Sequence, residues 1–477
     1  MIGAKTSSSW SSGTGIRGGC PILFEWPRNA DSRKGWGTER SANRPWQHDS
    51  VPHPSAPFAF REGHRRMGHP SYKLALVVLG LLCYASRAEQ RSEPTLTVAA
   101  VKLLSERGST RATRYAPTNK IVTVDERTHV AWLDSISQAM IATHDHAKGT
   151  WTTPVKVGDG KDNHGGPALT CDSKGVLHII FGPHHGPFHH CRSAKPNDAT
   201  QWVKLPDFGD HATYPAVVCD DQDTLHIVYR GGSMPRKLIY QYRKKEGSWS
   251  KPKPLARAPI KSGYTHFHNG MTIGPDNSLH VGYDVFFNGA AKCAGHLMSR
   301  DRGKTWTLAD GSTLDLPVTP RADAFFKRSD TGLKTTGIAC DAQGRPWISV
   351  TGPEIWHHDG KTWQRHVVGE RVSPKLDAGK LGGGGPLSID AQGRIYLTAT
   401  LDGSVVALSS QDKGRTFTLL PVFPADEKLP HTGLSIERPT GHHAIAVPWL
   451  LFSTGLKGPD CYGKGIYHKV RAVRLTW

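Results

Sequence analysis

Five short segments carry the side chains able to do chemistry: Asp162-Asn163-His164-Gly-Gly, Gly182-Pro-His184-His185-Gly-Pro, Thr213-Tyr214-Pro, Tyr229-Arg230-Gly-Gly and Gly263-Tyr264-Thr-His266-Phe-His268-Asn269. Together they offer imidazoles, phenols and a guanidinium. A neutral imidazole titrates near working pH, and a phenol can pass a proton on. A guanidinium binds a carboxylate through two parallel hydrogen bonds and stabilises charge that grows on it. These are the services needed for β-elimination from a uronate: neutralise the carboxylate, remove the C5 proton, and protonate the departing O4. His164, His184, Tyr214 and Arg230, with Asn163, His185, Tyr264 and His268 beside them, are the candidate site residues. Two other readings of the same residues stand beside this one. The histidines can be satisfied loop residues, or His266-x-His268 and Cys293-x-x-His296 can make a tetrahedral zinc site.

The positioning elements follow from an internal repeat. Gly166-Pro-Ala-Leu-Thr-Cys171-Asp172-Ser-Lys-Gly-Val-Leu-His178-Ile-Ile-Phe returns as Tyr214-Pro-Ala-Val-Val-Cys219-Asp220-Asp-Gln-Asp-Thr-Leu-His226-Ile-Val-Tyr. Looser copies start near Asn269, Thr336 and Gly385, with an early one over Asn119–Trp132. Each reads as an apolar strand, a tight Asp/Gly turn and a second β-rich strand, which is a hairpin. A recurrence of this length fits a four-stranded propeller blade. The expectation is an all-β, seven-bladed propeller with blades near 115–155, 164–204, 212–254, 264–310, 333–366, 383–421 and 430–477. Leu96–Leu104 would supply a strand that closes the ring. Ser299-Arg-Asp301-Arg-Gly303-Lys-Thr305-Trp306 and Ser410-Gln-Asp412-Lys-Gly414-Arg-Thr416-Phe417 both fit S-x-D-x-G-x-T-[WF], the BNR or Asp-box signature of sialidase-like propellers. It is a turn device and says nothing about chemistry.

The repeat also separates structural residues from chemical ones. His178, His226 and His280 occupy one position in successive copies, with His129 matching them in the early copy, so they serve the blade. Cys171, Cys219 and Cys340 each precede the turn and sit in different blades, as small buried hydrophobes rather than disulfide partners. The five segments named first are what breaks the repeat. In a propeller, residues just before the innermost strand and just after its hairpin face the central funnel, so three consecutive blades aim their side chains at one place.

The net charge of +19, from 60 Lys+Arg against 41 Asp+Glu, points to a polyanionic partner. No zinc-finger, recognition-helix or dense basic pattern accompanies it, which disfavours nucleic acid and leaves an acidic glycan. The stretch Met67–Lys73, the apolar run Leu74–Tyr84 and Ala85-Ser-Arg-Ala88 read as a secretory signal over 67–88, too short to span a bilayer. Residues 1–66 read as a disordered extension or an over-extended start, and 89–477 as one propeller domain, a monomer, secreted or periplasmic.

At the residues named first, the sequence resembles the BNR-repeat propeller lyases of polysaccharide lyase families 24 and 25, the ulvan lyases. The resemblance covers roughly 110–470, with its specific part at 160–270. It implies that His164 and His184 match the family's active-site histidines, Tyr214 its catalytic tyrosine and Arg230 its carboxylate-neutralising arginine. It implies a secreted lyase acting on a uronate-containing, ulvan-like polysaccharide, with no cofactor needed for catalysis and at most a structural zinc or calcium. A sialidase-type hydrolase and a non-catalytic glycan-binding propeller are the alternatives. The first lacks its Arg-Ile-Pro motif here.

Overall fold

The computed structural model describes residues 94–477 except 183, 259–267, 288–289, 321–323, 331, 373–375, 377–379, 383–384 and 457–465. The signal read at 67–88, the extension before it, and Tyr264 and His266 lie outside the described residues. What is described is all-β, in antiparallel sheets connected in chain order, with two short 3-10 turns.

The first sheet holds Ile121–Val124, Arg127–Leu133, Gln138–Asp145 and Thr150–Trp151, with Val155–Asp159 also paired to Gln138–Asp145. A seven-stranded sheet follows, from Gly165–Cys171 to Lys253–Arg257. Its central strand, Asp198–Cys219, pairs with Gly186–Lys195 along its first part and with Leu225–Gly231 along its last. Three more sheets run over Asn269–Arg328, Thr335–Val367 and Leu381–Phe423. In the last sheet, the N-terminal strand Thr97–Gly108 pairs with the C-terminal strand His468–Thr476, beside Leu450–Thr454 and His431–Ile436.

Period-2 alternation gives each strand two apolar-capable faces, and the core lies between neighbouring sheets. Leu133 and Ile141 meet Leu169 and Ile179. Ala168 and Ile180 meet Ile227 and Tyr229 within the seven-stranded sheet. Leu238 and Leu255 meet Val281 and Leu297, and Ala294 meets Ile338 and Ile348. Ile355 meets Leu397 and Leu408, and Tyr396 and Val405 meet Leu434, Leu450 and Phe452. Finally, Leu451 and Val470 pack on Val130 and Trp132, which sets the last sheet against the first.

The repeat's turn is built by its aspartate. Asp172, Asp220, Asp341 and Asp390 each accept two backbone N–H groups through Oδ1, from residues two and four places on, at 2.8–3.0 Å. Such side-chain mimicry of a turn is why aspartate recurs there. The Asp-boxes behave alike: Asp301 and Asp412 bind the N–H groups of Thr305 and Thr416, while Gly303 and Gly414 donate to Ser299 and Ser410. Gly303 has φ +82, and a Cβ there would lie 1.9 Å from the Tyr240 hydroxyl, so no other residue fits. Trp306 and Phe417 are buried against neighbouring sheets.

The repeat-equivalent histidines are core groups. His226 bridges the Tyr240 hydroxyl and Asp220, His129 bridges Thr143 and Asn197, His178 meets His190, and His280 meets Ser278 and His296. Cys171, Cys219 and Cys340 are free thiols.

Candidate active site

The site gathers at the ends of inner strands. His164 immediately precedes Gly165–Cys171; His184 and His185 turn the chain after Leu177–Gly182. Gly165 lies opposite Gly182, and in the next copy Thr213 lies opposite Arg230, each followed by a register shift before the regular ladder resumes at Ala168 and Ala216. The two shifts are bulges, which re-aim side chains at a sheet end. The first bulge is filled by Gly166 at φ +106, the second by Tyr214 at φ +60. A tyrosine held there costs about 1–3 kcal/mol, and such strain gathers at functional sites. Asn269 offsets it by donating from Nδ2 to the Tyr214 and Val228 carbonyls at 3.2 and 3.1 Å.

His164 stacks on His184 with ring centroids 4.1 Å apart, and His184 on His185 at 3.7 Å. Tyr214 lies 6.2 Å from His164 and 6.3 Å from His268. The Arg230 guanidinium sits 4.6 Å over the Tyr214 ring and donates from Nη2 to His184 Nε2 at 2.9 Å. All four candidate catalytic residues thus meet. Asn163, His185 and His268 adjoin them.

Three further groups complete the cluster: Arg111 and Tyr115, which the sequence did not single out, and Asp162, which opens the first of the segments but had no role assigned there. Arg111 donates to His164 Nε2 and, at 3.4 Å, to Asn163 Oδ1. Tyr115 lies 4.4 Å from Tyr214, 6.1 Å from His164 and 6.2 Å from His268. Asp162 Oδ1 accepts from His164 Nδ1 at 2.5 Å and from His164 N at 2.7 Å. Arg111 and Tyr115 occupy the loop between Thr97–Gly108 and Ile121–Val124, whereas His164 and His268 sit immediately before their strands, so position in the repeat gave no signal for them. Asp284, which holds His268 through Nδ1 at 3.0 Å, sits in a strand interior and gave none.

Since a guanidinium only donates, His164 Nε2 must be the acceptor facing Arg111 and Nδ1–H the donor to Asp162. One tautomer of a neutral imidazole is fixed, with its basic nitrogen turned into the cluster. His184 likewise accepts from Arg230. Burial, then the charges of His164, His185 and Arg230, push its pKa down to about 3. Burial and Arg230 push His185 down to about 4. Arg230 itself has 0% exposed surface, whereas Arg111 is partly exposed. An incoming anion therefore reaches Arg111 first, and the charge of Arg230 acts from beneath Tyr214 and His184.

Asp162, His164 and His184 have ligand atoms within 4.8 Å of one another, close enough for a cation. Guanidiniums already facing both imidazoles oppose one there. The zinc set from sequence does not assemble among its described members. Cys293 and His296, three apart on the strand Ala290–Ser299, fall on opposite faces of it. Cys293 takes a bond from Arg328 and His296 pairs with His280, while His268 is held by Asp284.

Comparison with known proteins accords with this architecture. The chain is 25% identical over 353 residues to an ulvan lyase of PL25 from Pseudoalteromonas sp. (strain PLSV), covering 61% of this chain and 71% of that one. It is 27% identical over 296 residues to an ulvan lyase from Alteromonas sp. (strain LOR), covering 50% and 61%. The solved PL25 ulvan lyase bound to -[GlcA(1-4)Rha3S]- superposes with TM-score 0.63 at 19% identity, over 78% of this chain and 94% of that structure. Polysaccharide lyase Uly1 superposes with TM-score 0.55 at 12% identity, over 80% and 99%. Residues 127–371, more than half of the 477, match the model described as BNR repeat-containing family member, and the chain belongs to that family.

Proposed function

We infer that the protein is a polysaccharide lyase that cleaves ulvan, or a closely similar uronate-containing sulfated glycan, by β-elimination. The observation that carries the chemistry is the Asp162–His164–Arg111 arrangement beside Tyr214. In the free protein Arg111 caps the basic nitrogen of His164. A uronate carboxylate bound by Arg111 takes over that guanidinium and leaves Nε2 beside C5, the carbon next to the carboxylate. His164 then removes the C5 proton. The C5–H electron pair forms the C4–C5 double bond as the C4–O4 bond breaks, and the Tyr214 hydroxyl donates its proton to O4. The imidazolium is stabilised by Asp162, and the charge that develops on the carboxylate by Arg111 and Arg230. His184 packs against His164 and holds its ring plane, while Asn163, His185 and His268 line the sugar-binding rim. The relatives' activity on ulvan supports the substrate class.

The same reading takes the sheets as seven blades, the seven-stranded sheet being two blades that share the long strand Asp198–Cys219. The inter-sheet cores that run in order and return from last sheet to first support it. Export through the 67–88 segment would place the enzyme where its polymeric substrate is; no helix among the described residues is long and apolar enough to cross a membrane.

The test is the ultraviolet absorbance of the conjugated 4,5-unsaturated uronate, formed only by elimination. Purified protein on ulvan should generate it, and neutral glycans should not. Binding of ulvan with no such product would make this a glycan-binding propeller, and new reducing ends without the chromophore would make it a hydrolase.

A further inference from the structure

We propose that a single zinc ion binds at the opposite end of the inner strands from the active site, held by Cys219, Asp223 and His442. The inference is independent of the lyase reading. In five hairpins of the repeat the inner strands turn within 172–176, 220–224, 274–278, 341–345 and 390–394, but in the last sheet the connection runs over 437–449. This strap crosses to other sheets. Thr440 O accepts from Cys219 N at 2.7 Å and Thr170 Oγ1 at 3.2 Å, Pro439 O from Thr272 Oγ1 at 3.1 Å, and Ile445 O from Ala391 N at 2.9 Å. Gly441, at φ +128, lies so close that a Cβ would meet Cys219 O at 2.0 Å. His442 is thereby delivered onto the turn that carries Cys219 and Asp223.

The three ligand atoms lie within 4.8 Å of one another, and His442 Nε2 is 3.3 Å from Asp223 Oδ1. Zinc bonds of about 2.0–2.3 Å in a tetrahedron put ligand atoms roughly 3.3–3.7 Å apart. The trio therefore closes on an ion with small side-chain adjustments. The donor set is a thiol, a carboxylate and an imidazole, the types zinc selects. Cys219 is fully buried, and its thiol donates to the Asp220 carbonyl at 3.8 Å. Asp223 commits Oδ2 to Lys245 Nζ and Ser173 Oγ, at 2.6 and 2.9 Å, and turns Oδ1, which also accepts from Ser173 N at 2.7 Å, toward His442, so Oδ1 is the oxygen offered to the ion. Binding forms S–Zn, O–Zn and N–Zn bonds and releases the thiol proton to solvent, with water completing the fourth position. The ion would staple the strap to the sheets, a structural rather than catalytic role.

The experiment is zinc titration of the metal-stripped full chain, with bound metal counted by mass spectrometry and cobalt(II) as a spectroscopic stand-in. One zinc per chain is expected, with a thiolate-to-cobalt charge-transfer band. Cys219→Ser should abolish the band. Both Cys219→Ser and His442→Ala should weaken zinc binding by more than the roughly 10- to 100-fold typical of losing an outer-shell partner. His184→Ala should leave the stoichiometry at one, which separates this site from the Asp162–His164–His184 group. If Cys219→Ser does not fold, the strap variant His442→Ala decides. No zinc uptake by the wild type, a cobalt complex without the sulfur band, or unchanged affinity in folded His442→Ala would each overturn the proposal.

Discussion

Replacing Asp162 by Asn isolates the pairing with His164 that only the structure revealed. The carboxylate receives both the His164 Nδ1–H, at 2.5 Å, and the His164 backbone N–H, at 2.7 Å. An amide oxygen can accept the same two bonds, so the loop should keep its shape. What is lost is charge: a hydrogen bond to an ionised group is worth about 1.5–3 kcal/mol against about 0.5–1.5 for a neutral one. The loss of about 1–2 kcal/mol falls on the imidazolium of the transition state, and at 1.36 kcal/mol per tenfold it lowers kcat by about 5- to 30-fold. Asp162 has 19% of its side chain exposed, so solvent screening favours the lower part of that range. If the amide turns its NH₂ toward Nδ1 instead, the imidazole is forced into the wrong tautomer, and losses near 10⁴-fold are known for such a switch in a serine-protease triad. KM should change little in either case, because Arg111 and the rim still bind the sugar. The assay is the initial rate of unsaturated-uronate formation on ulvan, with circular dichroism and a melting curve as controls for folding. Asp162→Glu should restore part of the rate. Wild-type kcat in a well-folded Asp162→Asn variant, or a loss confined to KM, would refute the orienting role and with it His164 as the base.

Tyr214→Phe keeps the ring beneath which Arg230 is packed and removes only the hydroxyl, so it should fold normally and lose kcat by about 100-fold or more, the scale of general acid–base catalysis; normal turnover would remove Tyr214 from proton transfer. His226→Ala should do the reverse, removing the imidazole that links the Tyr240 hydroxyl to Asp220 and leaving the two only their contacts with Arg302 and the turn N–H groups, at a cost of about 1–3 kcal/mol in urea unfolding, with per-molecule turnover of the folded fraction intact. Acid should destabilise the fold through its buried histidines: His129 and His280 are pushed by burial to about 4 and His178 to about 3, from an ordinary 6.5. The unfolded chain then binds more protons between those values, so this stability is complete above about pH 6.5 and is lost as pH falls toward 4 and 3. A melting temperature that stays flat over that window would contradict the burial of neutral imidazoles. Ulvan cleavage should weaken with added salt, since exposed charges are screened within about 10 Å at 0.1 M; salt-insensitive KM would argue against an electrostatic contribution to binding.

Much of the architecture was legible in the chain because it is local and repeated. Asp172, Asp220, Asp341 and Asp390 build their turns from their own backbone neighbourhood, so a short phrase suffices to recognise a hairpin. Position in the repeat likewise marked His178, His226 and His280 as core groups, and the departures from it, at His164, His184, Tyr214 and Arg230, marked the side chains that the fold brings together. Residue types with a chemical purpose stand out when a repeat supplies the background.

What lies outside that reading depends on contacts between segments distant in sequence. Arg111 and Tyr115 precede the first recognisable copy, and only the packing of the last sheet on the first carries their loop to His164. The His266–His268 and Cys293–His296 spacing looked like a zinc site in one dimension, but strand pleating sends Cys293 and His296 to opposite faces. Conversely, Cys219, Asp223 and His442 lie too far apart in the chain to form a motif, and the strap over 437–449 makes them neighbours. The sequence by itself determined the strand pattern, the turn chemistry and the candidate acid–base groups, since these follow from period and residue type. Tertiary structure alone decided the His164 tautomer, the burial of Arg230 and the partners of each imidazole, because hydrogen-bond direction and desolvation depend on which atoms the folded chain sets within about 3 Å of one another.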